Sequence, residues 1–542
     1  MNKNSKPISF KILLTLVLLS GFFLRIWDIG NIPPSPSLDE VAIGYNAYSI
    51  LKTGADEYGA KYPLILRAYD DWRPALYVYL VIPFVRLLGL NVVAVRLPSV
   101  ILSIFSILGA YYLVRKLFEK DKNSNLIALF TAFLFAVSPW HIYISRLGHE
   151  ANAALAFLIL GMACLFYKRN IVGIMLATLS FMSYQSEKII IPIILIIFTA
   201  LFWKKLRERK ISFLIGFLFV LPILIPFLKS SLTPVSLIRF QATNIFSAEH
   251  EKFEKRALKL ASALEKKDIL GQILNNRRLV AFEIVSNQYL SHFKPAWLFS
   301  NTGREPHKVP NLGLLYVWES VLILFGLTYL YKAKIGRREK AFIIFWFLSA
   351  PIPAAITTDA PHAMRSYTFL PILQILGSCG LVLLLNIAGK YKRIIYLGFF
   401  SLALFSFFSF YKNYFIIFPE EQSDSFQYAL SRAIPYVLEN EDKYEKIIIS
   451  NRNNLYQSYM FFLFFSQYDP VKYLKEGGTI SGGYAKTHKI GKYEFRPIEW
   501  SKEDKSIKTL FVGNQNDFPN YLESSHDFYN LNNLIGIKAL EI

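Results

Sequence analysis

An aspartate and a glutamate stand side by side at Asp39-Glu40, shortly after prolines at Pro33, Pro34 and Pro36. Those prolines predict extended backbone at the two acids rather than helix. A carboxylate held near an apolar surface is partly desolvated and suits general-base work on a hydroxyl. The same Asp39 could instead cap the helix that VAIGYNAYSIL would form, the more frequent use of its residue type. A second cluster, Tyr69-Asp70-Asp71-Trp72-Arg73-Pro74, offers in Arg73 a planar fork for a phosphate, or an interfacial anchor of the kind Arg and Trp commonly make. Further candidates are Trp140-His141 with Arg146, His149 and Glu150; Tyr184-Gln185 with Glu187-Lys188; and Asp359 with His362 and Arg365. Lys188 and Arg365, taken singly, read as snorkelling anchors. His149 and His362 follow no metal-ligand spacing, so no metal site is expected.

All of these residues lie at the ends of long apolar runs, where an ionisable group is costly unless paired, wet or useful. The 542 residues are 53% hydrophobic, include 46 phenylalanines and carry a net charge of +21. That is more apolar surface than a water-soluble domain of this size could hide, so a bilayer must be the solvent. The basic residues fall mostly in short loops beside the apolar runs, where insertion rules and anionic lipid account for them. No nucleic-acid partner is expected. The two cysteines, Cys164 and Cys379, both sit inside apolar runs and read as packing residues.

About eleven segments approach the length a spanning helix needs: roughly 9–27, 96–114, 125–140, 151–167, 170–184, 189–203, 211–229, 312–331, 341–357, 366–388 and 394–415. With that register the Lys/Arg clusters near 115–122, 168–169, 204–210, 332–340 and 389–393 all fall on one side, the cytoplasm, together with the N-terminus. The run from Ile12 to Leu24 has basic residues before it but no small-residue cleavage site after it, and so reads as a retained span. Residues 74–90 are apolar enough to tempt another crossing, but Pro74, Pro83 and Arg86 favour an interfacial or re-entrant helix on the outer surface. The predicted fold class is an α-helical multi-pass membrane protein with interfacial helices and a small C-terminal extracytoplasmic α/β domain. Its expected division is a transmembrane domain over 1–415, with outer loops 28–95 and 230–311, and an α/β domain over 416–542. In that tail KIIIS and KTLFVGN read as strands, and MFFLFF is too short to span.

Taken in order, PSPSLDE, WRPALYVYL, AVRLPSVILS, SPWHIYISRLGHEANAA and TTDAPHAMRSYTFLP resemble the landmarks of the C-superfamily (GT-C) glycosyltransferases that use polyprenyl-phosphate sugars, near the protein O-mannosyltransferase-like group and the lipid A aminoarabinose transferases. The stretch YLSHFKPAWLFSNTGREPHKVPNLGLLYVWE resembles members of the same group. The likeness runs over about residues 9 to 420, by the order and sidedness of these landmarks.

The resemblance implies a sugar joined to an isoprenoid through one phosphate, presented outside the cytoplasm. It also implies Asp39 as catalytic acid residue, with Glu40 beside it, and Arg146 and Arg365 as contacts to the lipid phosphate. Family members often carry His or Lys where this chain has Arg73. Asp39 would deprotonate an acceptor hydroxyl and the anomeric centre would invert, with Arg73, Arg146, Arg365 and Lys188 holding the phosphate. Asp70, Asp71, His149, Glu150 and His362 complete the candidates. No cofactor is required, although a divalent cation stays open. The donor is then a polyprenyl-phosphate sugar within the cell membrane's lipids, and the acceptor a protein, glycan or lipid hydroxyl, as in cell-envelope glycosylation. Two other readings compete: a flippase or transporter of lipid-linked glycans, and an oligosaccharide polymerase or ligase using a lipid diphosphate.

Overall fold

Apolar runs rich in Leu, Ile and Phe become helices wherever no proline or polar cluster interrupts them. The computed structural model describes residues 9–237, 241, 243–300, 307–483 and 487–542, and each predicted span falls on a helix. Among the described residues, four helical stretches are long and apolar enough to cross a membrane: Val92–Leu117, Glu187–Arg207, Lys210–Ser231 and Tyr367–Gln422. A fifth joins Ser124–Val137 to Pro139–Ser145 across a 57° bend. The count of about eleven spans is therefore not reached on length and composition. Phe10–Ile26 and Glu150–Phe166 have 17 residues and Asn170–Phe181 only 12, which at 1.5 Å per residue fall short of the ~30 Å hydrocarbon core. Leu76–Leu88, the doubtful segment of the first loop, has 13. Outward-facing Ile211, Leu214 and Phe219 on Lys210–Ser231 are more than half exposed, as expected of an integral membrane protein whose solvent there is lipid.

The chain forms two compact units. One comprises Met1–Leu24, Leu102–Ile144 and Ala151–Phe408. Within it, Val317–Lys332 and Leu370–Ala388 pack backbone to backbone. A Cβ on Gly326 would lie 1.9 Å from the Leu376 carbonyl oxygen, and one on Gly380 would lie 1.8 Å from that of Leu322. Only glycine permits this approach, the small-residue packing that membrane helices use in place of a hydrophobic driving force. The long outer loop holds a helix, His250–Glu265. Residues 301–306 of the landmark stretch YLSHFKPAWLFSNTGREPHKVPNLGLLYVWE lie outside the described residues.

The other unit comprises Arg25–Ile101, Ser145–Glu150 and Ser409–Ile542. It holds helix Leu38–Thr53, a hairpin of β1 (Ile65–Ala68) and β2 (Asp71–Pro74), and a six-stranded mixed sheet. The sheet strands are β3 (Lys446–Ile449), β4 (His488–Ile490), β5 (Tyr493–Phe495), β6 (Thr509–Gly513), β7 (His526–Tyr529) and β8 (Ile535–Glu541), in the order β4-β5-β3-β6-β8-β7. Both strands expected from KIIIS and KTLFVGN are there, parallel neighbours at the centre. Ile448, Phe511, Phe518 and Leu540 make a core on one face. The MFFLFF segment forms helix Ser458–Phe465, buried from Ser458 to Phe464. It packs on Leu38–Thr53, where a Cβ at Gly44 would come within 2.5 Å of the Phe464 ring. The tail therefore shares a compact unit with the first loop.

That contact is fastened by a buried acid, Glu57. The Asn46 amide donates to its Oε1 (3.1 Å), and the hydroxyls of Tyr459 (3.2 Å) and Thr479 (2.7 Å) donate to its Oε2. Burial outweighs these bonds and pushes the Glu57 carboxyl up to about 7.

Candidate active site

The paired acids do not lie on extended backbone, and Asp39 is not the cap. Ser37 caps helix Leu38–Thr53: its hydroxyl accepts from the Glu40 N–H (3.3 Å), and Glu40 Oε2 accepts from the Ser37 N–H (2.8 Å), a reciprocal capping box. The prolines end one residue before the helix begins, so their extended preference stops short of the carboxylates. Consecutive helical residues point about 100° apart, and the two acids part company.

Glu40 turns inward. Its side chain is 1% exposed and receives Arg96 Nε at 2.7 Å, Arg96 Nη2 at 3.1 Å and the Gly148 N–H at 2.8 Å. Burial would raise its carboxyl, but the Arg96 charge and these bonds outweigh it and hold it below the usual range. Arg96 also donates to the carbonyls of Ile29, Pro33 and Ser35, fixing the proline-rich loop. Glu40 is thus enclosed and engaged on both carboxylate oxygens. Sequence reasoning missed Arg96, although an arginine within an apolar run was itself a signal.

Asp39 turns outward. Its side chain is 40% exposed, and Arg73 Nη2 donates to Oδ1 at 2.6 Å. Arg73 stands on β2 with a side chain only 6% exposed. Burial alone would lower its guanidinium, but the negative charges of Asp39 and Glu150 keep it above its ordinary value. Arg73 is thus bound to the acid it faces. His149 Nε2 lies 3.9 Å from Asp39 Oδ2, and its Nδ1 lies 3.6 Å from Glu150 Oε2. Asp70 is engaged by Arg67 (3.0 Å) and the Gly482 N–H (3.2 Å), while Asp71 accepts from the Trp72 N–H (2.9 Å); both serve the hairpin and its surroundings.

Arg146 is fully buried, and burial pushes its guanidinium down. It donates to the carbonyls of Arg25 (3.0 Å) and Ile32 (2.8 Å) and lies 4.9 Å from the Phe415 ring centroid. It clamps the same proline-rich loop.

In the unit containing 151–408, Lys188 and Arg365 line one cavity of about 400 Å³ together with Tyr184, Gln185, Ser231 and Thr357. Phe181, Ile189, Leu228 and Leu232 give it apolar walls. Arg365 Nη1 donates to Thr357 Oγ1 (3.0 Å) and the Thr358 carbonyl; Lys188 Nζ sits 3.4 Å from Ser231 Oγ and 5.2 Å above the Phe227 ring. His362 Nδ1 accepts the Arg365 N–H (3.3 Å), and its own N–H donates to His292 Nε2 (3.2 Å). His362 is therefore a positioning residue for Arg365. Burial lowers His292 to about 4, so it stays neutral and donates from Nδ1 to the Gln288 carbonyl (2.9 Å). No group of three or more His, Cys, Asp or Glu that could hold a metal occurs among the described residues.

Residues 73–229 match a family model described as dolichyl-phosphate-mannose-protein mannosyltransferase. No curated protein matches the chain. Among solved structures, ArnT from Cupriavidus metallidurans bound to undecaprenyl phosphate is similar at 11% identity and a TM-score of 0.53, with 98% of each chain covered. The archaeal oligosaccharyltransferase AglB from Archaeoglobus fulgidus, in complex with an inhibitory peptide and a dolichol-phosphate, is similar at 14% identity and a TM-score of 0.49. The match covers 84% of this chain but 63% of that one, so the chain spans under two thirds of its length. The ArnT likeness establishes the fold. That fold, and the family match across residues 73–229, are what this chain shares with known glycosyltransferases.

Proposed function

We propose that the protein moves a sugar from a polyprenyl-phosphate donor to an acceptor hydroxyl on the extracytoplasmic face of the membrane, with inversion. The observation that carries this reading is the divergence of the paired acids: Glu40 is locked to Arg96, while Asp39 is presented half-exposed on Arg73. Asp39 takes the proton of the attacking hydroxyl. The new bond forms from that oxygen to the anomeric carbon as the bond to the phosphate oxygen breaks, and the lipid phosphate leaves as an anion. Such a leaving group needs cations rather than a proton donor. Lys188 and Arg365, set in a cavity with apolar walls, have the chemistry for a phosphate on an isoprenoid stem. The undecaprenyl phosphate bound by ArnT and the dolichyl-phosphate of the family description support the donor class.

The test incubates purified protein with a panel of undecaprenyl-phosphate sugars and measures release of free undecaprenyl phosphate. Asp39→Asn is expected to lose about 10²–10⁴-fold in rate, and Arg365→Ala with Lys188→Ala to raise the donor concentration needed for half-saturation. Equal turnover by wild type and Asp39→Asn removes Asp39 from the chemistry. Unchanged donor saturation in the double variant removes the phosphate role.

A further inference from the structure

Within the long loop, helices His250–Glu265 and Arg277–Ser291 form the two arms of a hairpin, joined by the short helix Ile269–Leu274. Arg256 ties the arms together: its Nη2 donates to Glu283 Oε2 (3.2 Å) and its Nη1 to Asn275 Oδ1 (3.3 Å). The joining helix is built inside out. Asp268 caps it by accepting the Gly271 N–H (3.0 Å), Gln272 Nε2 donates to the Ala263 carbonyl (3.3 Å), and a Cβ on Gly271 would stand 2.9 Å from that of Ala263. Its small and polar residues therefore face the protein. Ile269, Leu270, Ile273 and Leu274, at i, i+1, i+4 and i+5, share the opposite face, and each is between 49% and 73% exposed. A helix bathed in water turns its apolar stripe the other way.

The apolar face continues beyond this tip. Ile273, Leu279 and Phe282 border a groove of about 410 Å³, and Phe282 also borders a second, of about 300 Å³, with Tyr289, Leu290 and Ile352. Tyr289 in turn donates to the Leu348 carbonyl (2.7 Å) of helix Arg337–Ser349, on which Ile344, Phe345 and Leu348 are exposed within an apolar run. One apolar strip thus joins the tip to surface of the kind that lipid solvates. The charges agree with that solvent. Lys266-Lys267 precede the tip helix and Arg277-Arg278 follow it, all four exposed, while among the described residues the ion pairs of the hairpin are made by His250, Lys252, Lys255 and Arg256 instead. A basic collar around an apolar tip matches an anionic phospholipid surface, with phosphates at the collar's level and acyl chains beneath.

We propose that this hairpin docks on the bilayer through anionic phospholipid, with Ile269, Leu270, Ile273 and Leu274 seated against the acyl chains and Lys266, Lys267, Arg277 and Arg278 holding headgroup phosphates. The surface stands apart from the transfer reaction, so the test contains no sugar donor. The full chain carrying Ile273→Cys is labelled with an environment-sensitive fluorophore and reconstituted in nanodiscs of phosphatidylcholine, alone or mixed with phosphatidylglycerol; wild type, with Cys164 and Cys379, is the labelling blank. With phosphatidylglycerol present, nitroxide-bearing lipid is expected to quench the fluorophore several-fold more than aqueous iodide. In phosphatidylcholine alone that preference should shrink. Combining Lys266→Gln, Lys267→Gln and Arg278→Gln should weaken docking about fivefold per charge, read as the same loss of lipid quenching, with an unchanged size-exclusion profile confirming the fold. Iodide quenching that dominates in both lipids, lipid quenching indifferent to phosphatidylglycerol and to the charge variant, or shielding from both quenchers by a covering protein or a second copy would each overturn the proposal.

Discussion

At the scale of single residues, two adjacent acids with the same charge have opposite fates, and their substitutions should separate stability from turnover. Glu40→Gln leaves Arg96 buried without its counter-charge and is expected to cost about 3–5 kcal/mol, read as a lowered melting temperature in detergent. Asp39→Asn removes an acid that is 40% exposed and leaves Arg73 with the neighbouring charge of Glu150, so its melting temperature should fall less than that of Glu40→Gln even as turnover is lost. Equal destabilisation by the two would refute the division of roles. The sequence identified both residues but not which one faces out, because that depends on where the helix starts. Ser37 sets that start, and three prolines nearby gave the stronger, misleading signal. Arg73 and Arg146 were legible as important cations, but that their donors go to Asp39 and to loop carbonyls is decided by tertiary contacts no spacing reveals.

At the scale of elements, the tightest joint is the crossing of Val317–Lys332 with Leu370–Ala388. Valine at Gly380 would drive a Cβ bearing two methyl groups into a carbonyl 1.8 Å from the Cβ position, with an expected cost of about 3 kcal/mol or more and loss of monodisperse protein on size exclusion. Gly398, in helix Lys392–Tyr411, meets nothing within 4 Å of its Cβ position. Gly398→Ala should be neutral or stabilising by up to ~1 kcal/mol. Comparable loss from both variants would mean that helix propensity, and not this crossing, governs the result. Every apolar run was legible as a helix. The number of crossings was not, because periodicity locates a helix while breaks such as the 57° bend after Val137 decide how much of it can traverse lipid.

At the scale of the molecule, the first loop and the tail meet at Glu57, whose hydrogen bond from Thr479 spans 422 positions of sequence. Its carboxyl titrates near 7 when folded against an ordinary 4.5. The folded state thus holds the proton more tightly: the stability it adds is complete below about 4.5, is lost as pH rises to about 7, and is flat beyond. That loss is on the order of 3 kcal/mol. Glu57→Gln should abolish this part of the pH slope and raise the melting temperature at pH 8; an unchanged slope would show that Glu57 is not its source. The strands and the buried MFFLFF helix of the tail could be read from the sequence, but their union with residues 25–101 could not, since nothing local encodes a contact so distant. The same separation sets an order of events during synthesis. At ~5–20 residues per second, the ribosome delivers Tyr459 and Thr479 about 20–80 s after Glu57, and for that interval the segment bearing Asp39 waits without the helix that covers it. The loop proposed to carry the base can mature only once Thr479 has been made, so a stop before that residue would silence chemistry encoded near the start.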